Sequence, residues 1–211
     1  MTDFWTRLDE VRAANDILQH PFYVRWTKGE LSRDELATYA GEYRHAVEAI
    51  ADASDRAAGL ADDGAAAPLR EHAASERAHV ELWDRFADAV GAETAVEPSH
   101  ETAECVTAWA GDDHDLLESL VTLYAIEAAQ PAISATKRDG LPRFYGIEPG
   151  PGTSYFDVHA KLDREHAAEG RELIAERLEG ADEQALLDRA REALEGNWTL
   201  LDGVERLNRV A

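Results

Sequence analysis

The sequence predicts an all-α fold, a single compact domain of seven helices. Three observations carry that prediction. Apolar residues recur at helical spacing through most of the chain, and no convincing alternating strand interrupts them. Residues that start and stop helices stand where the periodic stretches begin and end. No repeat, low-complexity tract or linker divides residues 1–211, a length suited to one well-packed core.

The elements follow in order. Segment 3–18 is apolar near helical spacing, and His20–Trp26 starts a short helix with Pro21 at a tolerated first-turn position. Ser32-Arg-Asp-Glu35 has the spacing of a capping box and opens a helix to about Leu60. Gly59, Gly64 and the run DDGAAAP mark a turn, after which a helix over 68–90 ends at Gly91. Residues 100–110 form a shorter helix, and 113–138 a longer one kinked by Pro131. Glycine and proline concentrate in 138–154, the one substantial loop. Helix resumes from Tyr155 to about Leu178, and a last helix covers 182–209.

Charge excludes several functions. The chain carries 43 acidic and 21 basic side chains, a net charge of −22, which repels phosphate backbones and argues against nucleic-acid binding. A hydrophobic content of 45% argues against disorder. Apolar runs fall short of a membrane span and the N-terminus lacks a signal pattern, so a cytoplasmic protein is expected. The single cysteine, Cys105, excludes an internal disulfide framework and a cysteine-cluster metal site. Lysine is scarce, with only Lys28, Lys137 and Lys161. An acidic, lysine-poor surface suits high salt, as in a halophilic source, although GC-rich coding drift also replaces lysine by arginine.

Chemistry concentrates on helical faces. In His159-Ala-Lys-Leu-Asp163-Arg-Glu-His166, the two imidazoles and the carboxylate share one narrow stripe over two turns. Such a stripe suits iron or manganese; the bland alternative is a solvated acidic face. Glu76 and His79 lie one turn apart on an earlier helix. Glu127 falls in the apolar run SLVTLYAIEAAQPAI, where a lone carboxylate is costly to bury unless a metal ion or an arginine meets it. Together these make six candidate ligands: Glu76, His79, Glu127, His159, Asp163 and His166. His159 and His166 are separated by about 10 Å of helix rise, a span better served by two ions than one.

Glu42 and His45 repeat the Glu-x-x-His spacing. In a ferritin-like arrangement Glu42 would be a ligand and His159 surplus; they are read instead as lining the pocket. His72 shares the stripe of His79 and is a possible substitute ligand. His20, His100 and His114 sit at helix ends and receive no chemistry. Cys105 has no histidine close by and reads as a small core residue. No Ser/His/Asp arrangement, Walker loop or dinucleotide turn is present.

Four stretches carry a family resemblance: HPFYVRWTKGELSRDELATYAGEYRHAVEAI, SERAHVELWDRFADAVG, YAIEAAQPAISATKRDGL and YFDVHAKLDREH. Together they resemble the TenA and pyrroloquinoline-quinone-synthase superfamily over nearly the whole chain. The resemblance implies a seven-helix haem-oxygenase-like fold and a homodimer. Within that superfamily the ligand pattern is similar to the haem-oxygenase-like di-iron oxidases, with two iron ions (or iron and manganese) and O2 as co-substrate. The Glu76–His79 spacing resembles the 1-undecene-forming fatty-acid decarboxylases. The overall likeness is nearer to the chlamydial protein associating with death domains and its bacterial relatives, self-sacrificing 4-aminobenzoate synthases of folate synthesis. In that group the Glu/His pair is more widely spaced than here. The likeness implies that Lys137 corresponds to the amino donor, Tyr23 to the tyrosine whose ring becomes the product, and Tyr39 to a second pocket tyrosine. For all three, packing or surface roles are the competing reading.

The expected function is therefore an O2-activating di-iron oxidase making 4-aminobenzoate from its own side chains, with small molecules, O2 and a second copy of the chain as its partners and neither nucleic acid nor membrane among them. Three alternatives accompany it. One is a di-iron oxidase of an external fatty or amino acid, its entrance shaped by 138–154. Another is a metal-free thiaminase-like hydrolase needing a nucleophilic cysteine, and the last a helical regulatory module.

Overall fold

The structure is a computed structural model and describes residues 3–210. Helix α1 (Phe4–Ala14) starts at Asp3, whose carboxylate accepts from the N–H groups of Trp5 and Thr6. A 3-10 turn at Ile17–Gln19 leads into α2 (Pro21–Trp26). His20 caps α2, Nδ1 accepting from Phe22 N–H, while Nε2 meets Asp202 at 3.2 Å; its role is structural. The Ser32–Glu35 capping box forms in both directions and opens α3 (Arg33–Leu60). Helix α4 (Ala66–Val90) stops at Gly91, whose φ of +79° closes the helix in the left-handed region. Helix α5 (His100–Ala110), α6 (Leu116–Glu127), α7 (Gln130–Phe144), α8 (Ser154–Ala175) and α9 (Glu183–Val210) complete the chain.

Nine α-helical segments thus stand among the described residues where seven were expected. The eight segments placed along the sequence become nine through one break. The stretch 113–138 is broken rather than kinked: Pro131 has no N–H to donate backwards, so α6 ends at Glu127 and α7 starts anew at Gln130. The six-residue α2 forms where the sequence placed a short helix.

The expected loop at 138–154 is also shorter than predicted, because α7 continues to Phe144 through Gly140 and Pro142. Packing overrides these two breakers. Leu141 is fully buried, and Gly140 lies so close to Trp26 that a Cβ there would stand 2.6 Å from the indole nitrogen. The remaining non-helical segment lines a cavity of about 260 Å³ with Leu31, Arg33, Leu36 and Val90, none of them a candidate ligand.

Helix α3 packs along α4, α9 along α5, and α8 against both α6 and α7. The interior is aromatic: Trp26, Trp83, Trp109, Tyr23, Tyr39, Tyr43 and Tyr155 are all fully buried. Two indole N–H groups cross between helices, Trp83 donating to Ala40 O and Trp109 to Ala193 O. They join α4 to α3 and α5 to α9 without leaving a buried donor unpaired. Among the described residues, no helix is long and apolar enough to cross a membrane.

Candidate metal centre and aromatic cage

Three helices, α4, α6 and α8, bring the candidate ligands together. Glu76 and His79 face inward from α4, His159, Asp163 and His166 from α8, and Glu127 from the last position of α6. Glu76, His79, Glu127, His159 and Asp163 are buried; His166 is nearly so. His72, one turn before Glu76, joins them.

Two groups of ligand atoms lie within 4.8 Å of one another: His72, Glu76 and His166, and Glu76, His79 and His159. Glu76 belongs to both. Its Oε1 stands 3.1 Å from His79 Nδ1 and 3.8 Å from both His72 Nε2 and His166 Nδ1. Glu127 Oε1 is 2.9 Å from His72 Nε2. Asp163 sets both oxygens at 2.9 and 3.0 Å from His159 Nδ1 and lies 4.0 Å from His166 Nδ1.

The donor set fits metal ions on an independent ground. Buried polar atoms are ordinarily hydrogen-bonded. Here His72 Nε2, His79 Nδ1, Glu127 Oε1, His159 Nε2 and His166 Nδ1 are all buried without a hydrogen-bond partner. They lie close together but are misaligned for bonding one another, as ligand atoms directed at common points are. The opposite nitrogens of two rings are engaged: Asp163 meets His159 Nδ1, and the Ser75 hydroxyl stands 3.4 Å from His79 Nε2. A carboxylate on Nδ1 keeps the proton there and leaves the Nε2 lone pair for a metal.

Electrostatics agree. Burial raises the Glu127 carboxyl above the usual carboxylate range. Burial would raise Glu76 too, but the surrounding imidazoles hold it low. Burial disfavours the His72 imidazolium, yet the charge of Glu127 more than reverses this. Without cations, the carboxylates favour protons on His72 and His159.

Beside the cluster lies an aromatic cage around Lys137, which projects from α7. Its Nζ stands 4.8–5.6 Å from the ring centres of Tyr23, Tyr39, Tyr43, Trp83 and Phe156, and donates to the Tyr39 hydroxyl. No carboxylate lines the cage, and burial pushes the Lys137 ammonium down to about 7. Burial likewise raises the hydroxyls of Tyr23 and Tyr39 well above their ordinary range. Tyr155 separates cage from cluster, with its ring 4.1 Å from that of His159 and 4.9 Å from that of Trp83. Sequence reasoning singled out Lys137, Tyr23 and Tyr39 and assigned no role to Tyr43, Trp83, Tyr155 or Phe156.

Other residues fall elsewhere. Glu42 accepts from the Thr102 hydroxyl and Ser99 N–H, holding the start of α5, and His45 Nε2 meets Val96 O at 3.0 Å. The sequence reading had them lining the pocket; in the structure they brace the bundle through Val96, Ser99 and Thr102. Cys105 is fully buried and burial pushes its thiol up, so no thiolate is available for a thiaminase-like reaction.

Known proteins resemble this chain in sequence and in fold. The chain is 28% identical over 212 residues to the 4-aminobenzoate synthase of Chlamydia muridarum, covering 95% of this chain and 89% of that protein. It is 29% identical over 228 residues to the 4-aminobenzoate synthase of Nitrosomonas europaea, covering 95% and 90%. A domain of unknown function with a haem-oxygenase-like fold from Shewanella denitrificans superposes with a TM-score of 0.84 at 17% identity, covering all of this chain and 95% of that one. The fold is haem-oxygenase-like. Residues 70–198 match the family described as iron-containing redox enzyme, and the chain belongs to that family.

Proposed function

We propose that this iron-containing redox enzyme is a 4-aminobenzoate synthase that consumes its own side chains, Tyr23 as the ring and Lys137 as the source of nitrogen. The observation that carries the reading is the placement of a buried lysine between tyrosines, next to two histidine–carboxylate groups that share Glu76. The relatives named 4-aminobenzoate synthase support it.

Glu76, His79, Glu127, His159, Asp163 and His166 would hold two iron ions, or iron with manganese. Bound there, the metals would take up O2 and supply the oxidising power. Turning a tyrosine side chain into 4-aminobenzoate requires nitrogen to replace the hydroxyl on its ring carbon, with the oxygen leaving as water and the Lys137 Cε–N bond breaking. It also requires cleavage of the Tyr23 Cα–Cβ bond with oxidation of Cβ to a carboxyl carbon, O2 being the oxidant. The cage suits the first requirement. A lysine near 7 is largely a free amine at mildly alkaline pH, with a lone pair for bond formation. Tyr39 accepts from Lys137 and so holds the amine in the cage, 5.6 Å from the centre of the Tyr23 ring. Tyr155, Trp83 and Phe156 keep water out of the space between cluster and cage.

The test is release of 4-aminobenzoate by the reduced, iron-loaded chain in air with no organic substrate added. At most one product per chain is expected, and none from Tyr23→Phe. Undiminished product from Tyr23→Phe would sink the self-sacrifice reading.

One observation favours a second reading, oxidation of an external small molecule. A cavity of about 460 Å³ lies between α1, α5, α6, α7 and α9, walled by Trp109, Ile126, Ile133 and Leu194. The buried Asn197 Oδ1 in its lining has no partner. Repeated turnover that depends on an added substrate, with Tyr23 intact, would favour this reading.

A further inference from the structure

His72 lies outside the six ligands considered above, yet the structure treats it as their equal. The α4 stretch His72-Ala-Ala-Ser-Glu76-Arg-Ala-His79 and the α8 stretch His159-Ala-Lys-Leu-Asp163-Arg-Glu-His166 have the same spacing: histidine, acid four residues on, histidine three further. The two stretches meet in reverse order. His72 pairs with His166, ring centres 4.3 Å apart, and His79 with His159, 4.5 Å apart. Antiparallel helices bearing one motif thus build two similar positions, one from each histidine pair, with Glu76 common to both.

The two positions differ in access. His79 and His159 are 4% and 3% exposed, whereas the side chains of His72 and His166 are 11% and 13% exposed. The latter pair lines a cavity of about 300 Å³ shared with Glu71, Ser75, Glu165 and Glu169. Carboxylates around such an opening raise the local concentration of cations. The competing role for His72 is a plain ion pair with Glu127. Their atoms are 2.9 Å apart, but neither makes an aligned hydrogen bond.

We infer that His72 is a seventh metal ligand, forming with Glu76 and His166 an outer position that exchanges its ion through the acidic cavity, while the inner position of Glu76, His79 and His159 retains its own. This rests on the di-iron reading and adds an order of loading and loss to it. Glu76 links the positions and would couple their occupancy.

The test is anaerobic Fe(II) loading of the full chain, with metal counted per chain and release to a chelator followed in time. The unsubstituted chain should hold two ions and release them in a fast and a slow phase of equal size. His72→Leu should hold one ion and lose the fast phase. Its affinity for a second ion should fall by more than the roughly 10–100-fold that loss of an orienting partner costs. His72→Glu, which restores a ligand, should recover the second ion. Two ions and both phases unchanged in His72→Leu would overturn the inference and leave the di-iron reading standing. Fewer than two ions in the unsubstituted chain would overturn both. Should His72→Leu fail to fold, cobalt(II) loading of His72→Glu decides. Its visible absorption should shift as oxygen replaces nitrogen, and a spectrum identical to that of the unsubstituted chain would overturn the inference.

Discussion

Lys137 is 1% exposed, and no carboxylate shares its cage. Replacing it by methionine keeps most of the apolar volume and removes the ionisable group. Its ordinary value of 10.5 falls to about 7 in the folded chain. Between those values the unfolded chain holds a proton that the folded chain does not, so acidification favours unfolding. The cost is absent above about 10.5, grows as pH falls, and levels off below about 7. At about 1.36 kcal/mol per tenfold in proton affinity, it reaches about 2 kcal/mol at pH 9 and about 5 kcal/mol at pH 6. Loss of the hydrogen bond to Tyr39 subtracts about 1 kcal/mol at every pH. Lys137→Met should therefore be more stable than the parent, by a margin that widens by about 2–3 kcal/mol from pH 9 to pH 6. Urea unfolding of both chains in the same metal state, at several pH values, measures this. The cluster histidines titrate in both chains and cancel in the difference. A margin that does not change with pH would refute the picture of a buried neutral amine.

Other perturbations test the scaffold. Ser32→Ala breaks one arm of the capping box at α3 and should cost about 1 kcal/mol in denaturant unfolding, with no change in metal content. Gly140→Ala would ordinarily favour a helix, but its Cβ would collide with Trp26; a loss of about 1–3 kcal/mol is expected, read as a lowered Tm. Cys105→Ser should leave 4-aminobenzoate yield per folded chain unchanged and lower stability by about 1–3 kcal/mol, because it buries a hydroxyl in an apolar site.

Much of the fold was legible because its boundaries are chemical. The Ser32–Glu35 box, Pro21 and Gly91 mark their helix ends by local hydrogen bonding and backbone preference alone. The end of α7 was not legible, since Gly140 and Pro142 are tolerated only through contacts with distant residues such as Trp26. The site divides in the same way. Face periodicity found the α4 and α8 ligands one helix at a time, and burial cost found Glu127. His72 was underweighted although its signal was present, the spacing that α8 repeats; its meaning depends on the antiparallel pairing that sets it against His166. Glu42 and His45 misled for the converse reason. Their spacing copies Glu76 and His79, but α3 directs them to Ser99, Thr102 and Val96. Lys137 stood out through the scarcity of lysine, whereas its cage comes from four helices that no local pattern joins.

The most direct measurement of the self-sacrifice proposal is peptide mass mapping of the reduced, iron-loaded chain before and after exposure to O2, with no organic substrate present. Loss of mass at the peptide bearing Tyr23, altered mass at Lys137, and 4-aminobenzoate equal in amount to the altered chains are the predicted result. Continued formation of 4-aminobenzoate with both peptides unchanged would contradict it.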